Sequence, residues 1–357
     1  MNSVNLSQKV CVGLSGGIDS AMTAYYLKEQ GYQVRGIFMH NWQQTDCPIT
    51  EDMRMAREVA AHLGIEFEVL DFSNEYWSAV FQTFLRELSQ GLTPNPDILC
   101  NEFVKFDAFK QAALKNHSIL ATGHYAHIQP IDGQLALMQA KDPKKDQTYF
   151  LCRLSQEQLQ HVMFPLALRL KEEIKQHAHQ LKLPNIDRKE SMGICFIGQD
   201  KLQPFLSEFM LDRPGDIIDT NGRVLGQHRG VFYYTLGQRK GLALGGQKHM
   251  SDAPFYVVKK DIKTHTITVS QNEFDSGIIG HQAKVCMLHH IRQPYEEGKL
   301  LYGRIRHGQA LQECTITDIN GEHAVVQFAQ QQRALTPGQY VAFYSQDECL
   351  GSAKITL

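Results

Sequence analysis

Gly13-Leu-Ser-Gly-Gly-Ile-Asp-Ser20 is the stretch on which the fold turns. It follows Lys9–Leu14, a short apolar run that reads as a strand. It leads into Asp19–Gln30, which reads as a helix stopped by Gly31. Ser15, Gly16 and Gly17 make a turn in which backbone can approach an anion closely. The helix behind them offers unpaired N–H groups and the positive end of its dipole. Ser20 adds a hydroxyl donor, and Asp19 is a candidate to hold a magnesium ion that bridges phosphate oxygens. No Gly-Lys-Ser/Thr ending follows, so this is not the common P-loop, nor is it a Gly-x-Gly-x-x-Gly turn. A glycine turn that only caps a helix is the plainer alternative. The strand–turn–helix setting favours the anion site.

Working outward, strand and helix signals alternate. Val34–Met39 reads as a second strand, and Thr50 caps a helix through Leu63 with Glu51 and Asp52 in its first turn. Phe67–Leu70 is a third strand. Ser73 caps a long helix ending near Gln90. Glu102–Lys115 reads as a helix with Phe103, Phe106, Phe109 and Ala113 at helical spacing. Ser118–Thr122 is a fourth strand. This alternation implies a parallel sheet covered on both faces, with ligands at its carboxyl edge. Met39, where an adenine ring can rest against soft sulfur, and Gly123 both fall at that edge.

Past residue 200 helix signals fade and short strands dominate. Asn221-Gly222 marks a hairpin between Ile218 and Val224. Ile267–Ser270, Ala283–Leu288, Gly303–Ile305, Ala324–Phe328 and Tyr340–Tyr344 read as strands, with a turn at Thr336-Pro337-Gly338. The expected architecture is α/β: an N-terminal doubly wound parallel sheet over 1–199, a central β-rich domain over 200–278 and a C-terminal β-barrel over 279–357.

The chain has 357 residues, 43 % apolar and 21 % charged, which excludes disordered, collagen-like and coiled-coil classes. Lys and Arg number 36 against 38 Asp and Glu, for a formal charge of −2. Lys/Arg and Asp/Glu balance in 279–357, and 200–278 carries a single excess positive charge. A nucleic-acid partner must therefore be met by residues gathered on one face. The eight cysteines include no Cys-x-x-Cys, which excludes zinc-ribbon and thioredoxin-type motifs. The N-terminus does not read as a signal peptide and no apolar run approaches the ~18 residues of a membrane span. We expect a cytoplasmic protein with reduced thiols and no membrane contact.

Two cysteines sit in distinctive surroundings. Asn95-Pro96-Asp97-Ile-Leu-Cys100 follows Thr93-Pro94, so a stiff extended loop precedes a helix. A thiol at a helix start sees the dipole, and Asp97 can cap the helix or move protons. Ser191-Met-Gly-Ile-Cys195-Phe-Ile-Gly198 is a short apolar run between glycines, with Arg188 and Lys189 upstream as candidate thiolate partners. Taken singly, each also reads as an inert buried cysteine.

The loop, Asn95–Cys100 and Gly193–Gly198, in this order, resemble the tRNA-specific 2-thiouridylase (MnmA/TrmU) family of the PP-loop ATP pyrophosphatase superfamily. FMHNW (38–42), TGHYA (122–126), KDQTYFL (145–151), YTLGQRKGL (234–242) and TPGQ (336–339) look like family segments too. The resemblance implies ATP and Mg2+ as cofactors, with Gly13, Leu14, Ser15, Gly16, Gly17, Ile18, Asp19, Ser20, Met39 and Gly123 at the nucleotide. It implies adenylation of the C2 oxygen of a wobble uridine, then sulfur transfer from a persulfide on Cys195. Cys100 resolves the persulfide, either by attack that leaves a transient Cys100–Cys195 disulfide or by releasing sulfide that attacks C2 instead, and Asp97 assists proton transfer. Asn95, Pro96 and Asp97 line the base pocket. His124, Lys145, Asp146, Gln147, Arg306, His307 and Gln339 contact tRNA. His307 stands where the family pattern has an aromatic. A persulfide-carrying sulfur donor protein is the implied partner.

Three rival readings remain at this stage. Another PP-loop enzyme that adenylates a small molecule fits the loop equally but leaves Cys100, Cys195 and the β-rich half unexplained. An RNA-binding module with a vestigial nucleotide site is opposed by the intact loop. A thiol–disulfide oxidoreductase is opposed by the missing Cys-x-x-Cys.

Overall fold

The computed structural model describes residues 8–42, 49–116, 119–188, 202–244, 251 and 253–356. The N-terminal half holds a five-stranded parallel sheet. Its strands are β1 (Lys9–Gly13), β2 (Gln33–His40), β3 (Glu66–Asp71), β4 (Ile119–Ala121) and β7 (Val162–Met163), in the order β3-β2-β1-β4-β7. The order reverses at β1, which pairs with β2 on one side and β4 on the other. The loops leaving β1 and β4 therefore diverge at a topological switch point, where open α/β sheets bind ligands. Val10, Cys11 and Val12 of β1 are fully buried, as expected of a strand covered on both faces.

The helices follow the apolar spacing, with three corrections. Helix α1 (Ile18–Glu29) and α2 (Ile49–Leu63) stand where expected. Helix α3 (73–89) begins after Phe72 without a serine cap. Ser73 instead donates its N–H (2.9 Å) and hydroxyl (2.6 Å) to Asp71, whose carboxylate meets the helix start. Helix α4 (96–114) starts six residues before Glu102. Asn95 is its cap, accepting from the Ile98 N–H at 3.3 Å, and Pro96 occupies the first turn, where its missing N–H costs nothing. Asp97 is thus a first-turn residue, not the cap. Phe106, Phe109 and Ala113 are buried as the spacing required, but Phe103 is exposed. Helix α5 (Lys171–Gln180) packs against α1, and α6 (Leu202–Ser207) follows later.

Strands β8 (Gly215–Asp219), β9 (Val224–His228), β10 (Tyr256–Asp261) and β11 (Thr266–Ser270) form a central sheet in the order β10-β11-β8-β9. The Asn221-Gly222 turn joins β8 to β9. Strands β12 (Ile279–His290), β13 (Leu301–Arg304), β14 (Gln312–Asn320), β15 (His323–Arg333), β16 (Tyr340–Ser345) and β17 (Glu348–Ile355) close into a barrel through the β12–β17 pairing. Closure removes the exposed edges of a small sheet. One hairpin, β5 (His127–Ile131) and β6 (Gln134–Met138), was not foreseen. It belongs to the N-terminal half by sequence, yet β6 pairs with β17 and extends the barrel sheet.

Candidate functional site

The loop after β1 is built as its sequence requires. The Ser15 N–H donates to Ser20 Oγ (3.1 Å), and Ser20 Oγ donates to the Gly17 carbonyl (3.0 Å), folding the turn onto α1. Gly16 takes φ +78°, and a Cβ there would lie 2.6 Å from the Asp52 carbonyl oxygen. Glycine is therefore demanded twice, by backbone and by space. Gly17 ends the turn in extended geometry with no side chain capping α1, so the helix N-terminus is left to other partners. Leu14 and Ile18 are buried and anchor the loop, and the Leu14 N–H donates to the Ile37 carbonyl of β2 (2.9 Å). Met39 is half-buried near the end of β2, beside Leu70.

Gly123 closes the other side. A Cβ on it would sit 2.9 Å from both the Asp19 carbonyl carbon and the Ser20 nitrogen, so the β4 loop lies directly on the start of α1. His124 follows, its Nδ1 2.7 Å from Thr122 Oγ1 and its ring against Phe106 and Phe164. Burial pushes its pKa well below the usual imidazole value, with Lys105 adding to the effect, so the ring is neutral.

Asp19 is not poised as a resident magnesium ligand. Lys171 Nζ bonds both its oxygens (2.7 and 2.8 Å), and the Tyr125 hydroxyl donates to Oδ1 (2.9 Å). Among the described residues there is no group of three or more His, Cys, Asp or Glu able to hold a metal. Lys171 and Tyr125 were missed in the sequence because each is a lone residue, 152 and 106 positions from Asp19.

The Asn95 loop is clamped from the barrel. Gln339 Nε2 donates to the Thr93 carbonyl (2.7 Å), and its Oε1 accepts from Asn95 Nδ2 (3.4 Å). The Tyr149 hydroxyl spans the same junction, bonding the Ile305 and Tyr340 carbonyls at 3.2 Å each. Pro96 is buried and Asp97 half-buried. Cys100 is fully buried, one turn into α4, where it opens a wide-turned stretch over Cys100–Phe109. It lies past the first turn, so the dipole effect expected of a helix start is largely spent there. The same helix reaches the anion loop: Phe109 lies against Gly13, and Phe106 against His124. Cys195 lies outside the described residues, as do Cys47 and Lys189.

The residues expected to meet RNA divide. Gln147 Oε1 accepts from the Tyr125 N–H (3.0 Å), tying its segment to the β4 loop, and Lys145 is half-buried beside it. Arg306 and His307 are exposed at the barrel mouth. Arg306 donates to the Ala334 carbonyl (2.9 Å), and the His307 ring packs at a tilt on Phe150 with ring centroids 4.7 Å apart. Asp146 is a correction. Its carboxylate is fully enclosed, accepting from Arg304 Nη1 (3.0 Å), Thr148 Oγ1 (2.8 Å) and the Ala140 N–H (3.2 Å). It joins the barrel to the N-terminal half and offers no surface to RNA.

An open parallel sheet whose first strand passes through a Ser-Gly-Gly loop into a helix, followed by a β-barrel, is the architecture of a PP-loop nucleotide-dependent protein. Comparison with known families agrees. Residues 8–199 match the family described as tRNA methyl transferase HUP domain. Residues 203–271 match its PRC-barrel domain, and 282–355 the aminomethyltransferase beta-barrel domain. The tRNA-specific 2-thiouridylase MnmA of Legionella pneumophila (strain Lens) is 44 % identical, the match covering 98 % of this chain and 99 % of that protein. That of Streptococcus sanguinis is 43 % identical over 99 % and 96 %. The U34-tRNA thiolase NcsA of Methanococcus maripaludis matches in structure at 19 % identity and TM-score 0.35, over 50 % of this chain and 58 % of that one. The chain belongs to the tRNA-specific 2-thiouridylase MnmA family.

Proposed function

We propose that the protein is an ATP-dependent tRNA 2-thiouridylase acting in the cytoplasm. The uracil C2 carbonyl is a poor electrophile, and its oxygen is a poor leaving group. The C2 oxygen attacks the α-phosphate of ATP and pyrophosphate departs, which turns that oxygen into part of AMP. The terminal sulfur of a persulfide on Cys195 attacks C2, and AMP leaves with the old oxygen. Cys100 then attacks Cys195 Sγ; the bond between that sulfur and the transferred one breaks. This leaves sulfur on C2 and a Cys100–Cys195 disulfide, to be reduced by an external thiol. In the alternative order Cys100 first expels hydrosulfide, which attacks C2 itself. A persulfide-carrying donor protein supplies the sulfur.

Gly13 to Ser20, Met39 and Gly123 take the nucleotide, and magnesium enters as the counter-ion of the triphosphate. Asn95, Pro96 and Asp97 receive the splayed-out base, with Asp97 moving a proton. His124, Lys145, Gln147, Arg306, His307 and Gln339 hold the loop of the tRNA. The division into 1–199, 200–278 and 279–357 is part of this reading.

What carries the reading is helix α4. It bears Cys100 one turn in, under an Asn95 loop clamped by the barrel, and touches the anion loop through Phe109 further along. Cys100 and Phe109 lie at most about 14 Å apart along the axis by helical rise. Methyl transfer, named in the family description, uses neither a triphosphate loop nor a thiol pair. The test is incubation with unmodified tRNA, ATP, magnesium and a sulfide source, with thiolated nucleosides sought by mass. We expect 2-thiouridine, lost in Cys195→Ser while ATP-dependent activation of the RNA survives. Normal thiolation by Cys195→Ser would overturn the assignment of the nucleophile.

A further inference from the structure

The crest of the anion loop is gripped by a turn remote in sequence. Asn185 is 1 % exposed, and its Nδ2 donates to the Gly16 carbonyl (3.0 Å). The Arg188 N–H donates back to the Asn185 carbonyl (3.2 Å), so the turn sets both side chains on the loop. Arg188 Nη2 is paired with the Asp52 carboxylate at the start of α2. Arg188 Nη1 lies 2.8 Å from the position a Cβ on Gly16 would take. That nitrogen is buried and meets no hydrogen-bond acceptor among the described residues, and Asn185 Oδ1 is likewise buried without a donor.

A guanidinium nitrogen closed off from water without an acceptor is costly, and folded proteins rarely leave one so. Here it sits over the one loop residue whose backbone bends to admit an anion. We propose that Arg188 is a phosphate ligand of the nucleotide site: Nη1 donates to an oxygen of the β or γ phosphate of ATP, Asp52 aims the guanidinium, and Asn185 holds the loop crest beneath it. The assignment rests on the reading of this loop as an ATP site. It replaces the role in thiolate stabilisation that the position of Arg188 before Cys195 suggested. A planar fork with one arm held and one arm open suits arginine and not lysine.

The test separates ligation from mere structure, because Arg188→Gln and Asp52→Asn break the same ion pair. Both variants are expected to lose similar thermal stability without nucleotide. Their affinities for ATP, measured directly in the full chain, should diverge. Arg188→Gln is expected to bind ATP about tenfold or more weakly, the worth of a charged hydrogen bond, with affinity for AMP unchanged. Asp52→Asn keeps the charge but loosens its aim, and should weaken ATP binding measurably but by clearly less than Arg188→Gln does. Arg188→Lys, which keeps a charge but not the fork, should fall between them and serves if Arg188→Gln fails to fold. Equal weakening by Arg188→Gln and Asp52→Asn, unchanged ATP affinity in Arg188→Gln, or an equal loss toward AMP would overturn the assignment. A parent chain that binds no ATP would instead sink the functional reading on which it rests.

Discussion

At the residue scale, the chain builds its site by spending charge locally. Asp19 lies in the first turn of α1, where a carboxylate suits the helix dipole, but Lys171 and Tyr125 hold it in place. Lys171 is almost fully buried and Asp19 one-third exposed. Lys171→Met should therefore cost about 1–3 kcal/mol, less than a fully enclosed pair, by leaving the carboxylate unpartnered by its cation. Chemical denaturation reads that loss, and the ATP-dependent step should fall with it as α1 loses its anchor. His289 carries a pH effect. Its Nε2 lies 3.1 Å from the Leu154 carbonyl, between barrel and N-terminal half. Burial, with Arg153 adding repulsion, lowers its pKa to about 4. The unfolded chain takes up a proton near pH 6.5 that the folded chain refuses until about pH 4. Stability is thus full above pH 6.5 and is lost as pH falls toward 4. A half-buried ring makes this about 1–2 kcal/mol. His289→Gln should flatten the melting-temperature slope across that window, and an unchanged slope would refute the assignment.

At the element scale, local signals were legible and long-range pairings were not. The anion loop was readable because its demands are consecutive: two glycines, a serine and a helix start. The Asn95 loop was readable for a similar reason, since the prolines stiffen it, although the cap fell to Asn95 and not to Asp97. The β5–β6 hairpin was invisible, because its partner β17 lies some 210 residues further on and pairing register leaves no mark in either segment alone. The same holds for Lys171, Asn185 and the Arg304–Asp146 pair, whose partners the fold supplies. The clamp between β16's preceding turn and the Asn95 loop is an element-level device with its own consequence. Gln339→Ala removes the bonds to Asn95, Thr93 and Tyr149. At about 0.5–1.5 kcal/mol each for neutral bonds, thiolation of tRNA should fall roughly tenfold. ATP affinity should hold, since the anion loop lies further along α4. Steady-state kinetics with tRNA and ATP varied separately checks this.

At the scale of the whole molecule, the formal charge of −2 hides how charge is used. Arg304–Asp146, Lys354–Glu87, Arg153–Glu102 and Arg292–Glu348 are buried or nearly so, and each joins segments distant in sequence. Arg304–Asp146 and Lys354–Glu87 tie the barrel to the N-terminal half, while Arg153–Glu102 lies within that half and Arg292–Glu348 within the barrel; paired and largely enclosed, they add little to the outer field. Under the proposed function Lys145 and Arg306 are among the cations that meet RNA, and the balanced totals of the two β-rich segments are no argument against RNA. Two variants separate these roles. Asp146→Ala strands Arg304 without its carboxylate and should lower stability by about 3–5 kcal/mol, as breaking a buried pair does. Arg306→Ala should leave the melting temperature nearly unchanged. Binding of tRNA should weaken as salt rises, and removing one phosphate contact should reduce the slope of log affinity against log salt by about 0.7–1. Arg306→Ala is expected to show that smaller slope, and Asp146→Ala the parent slope at reduced folded fraction. Titrations of tRNA at several salt concentrations decide it, because only a residue that displaces counter-ions from the RNA can change the slope.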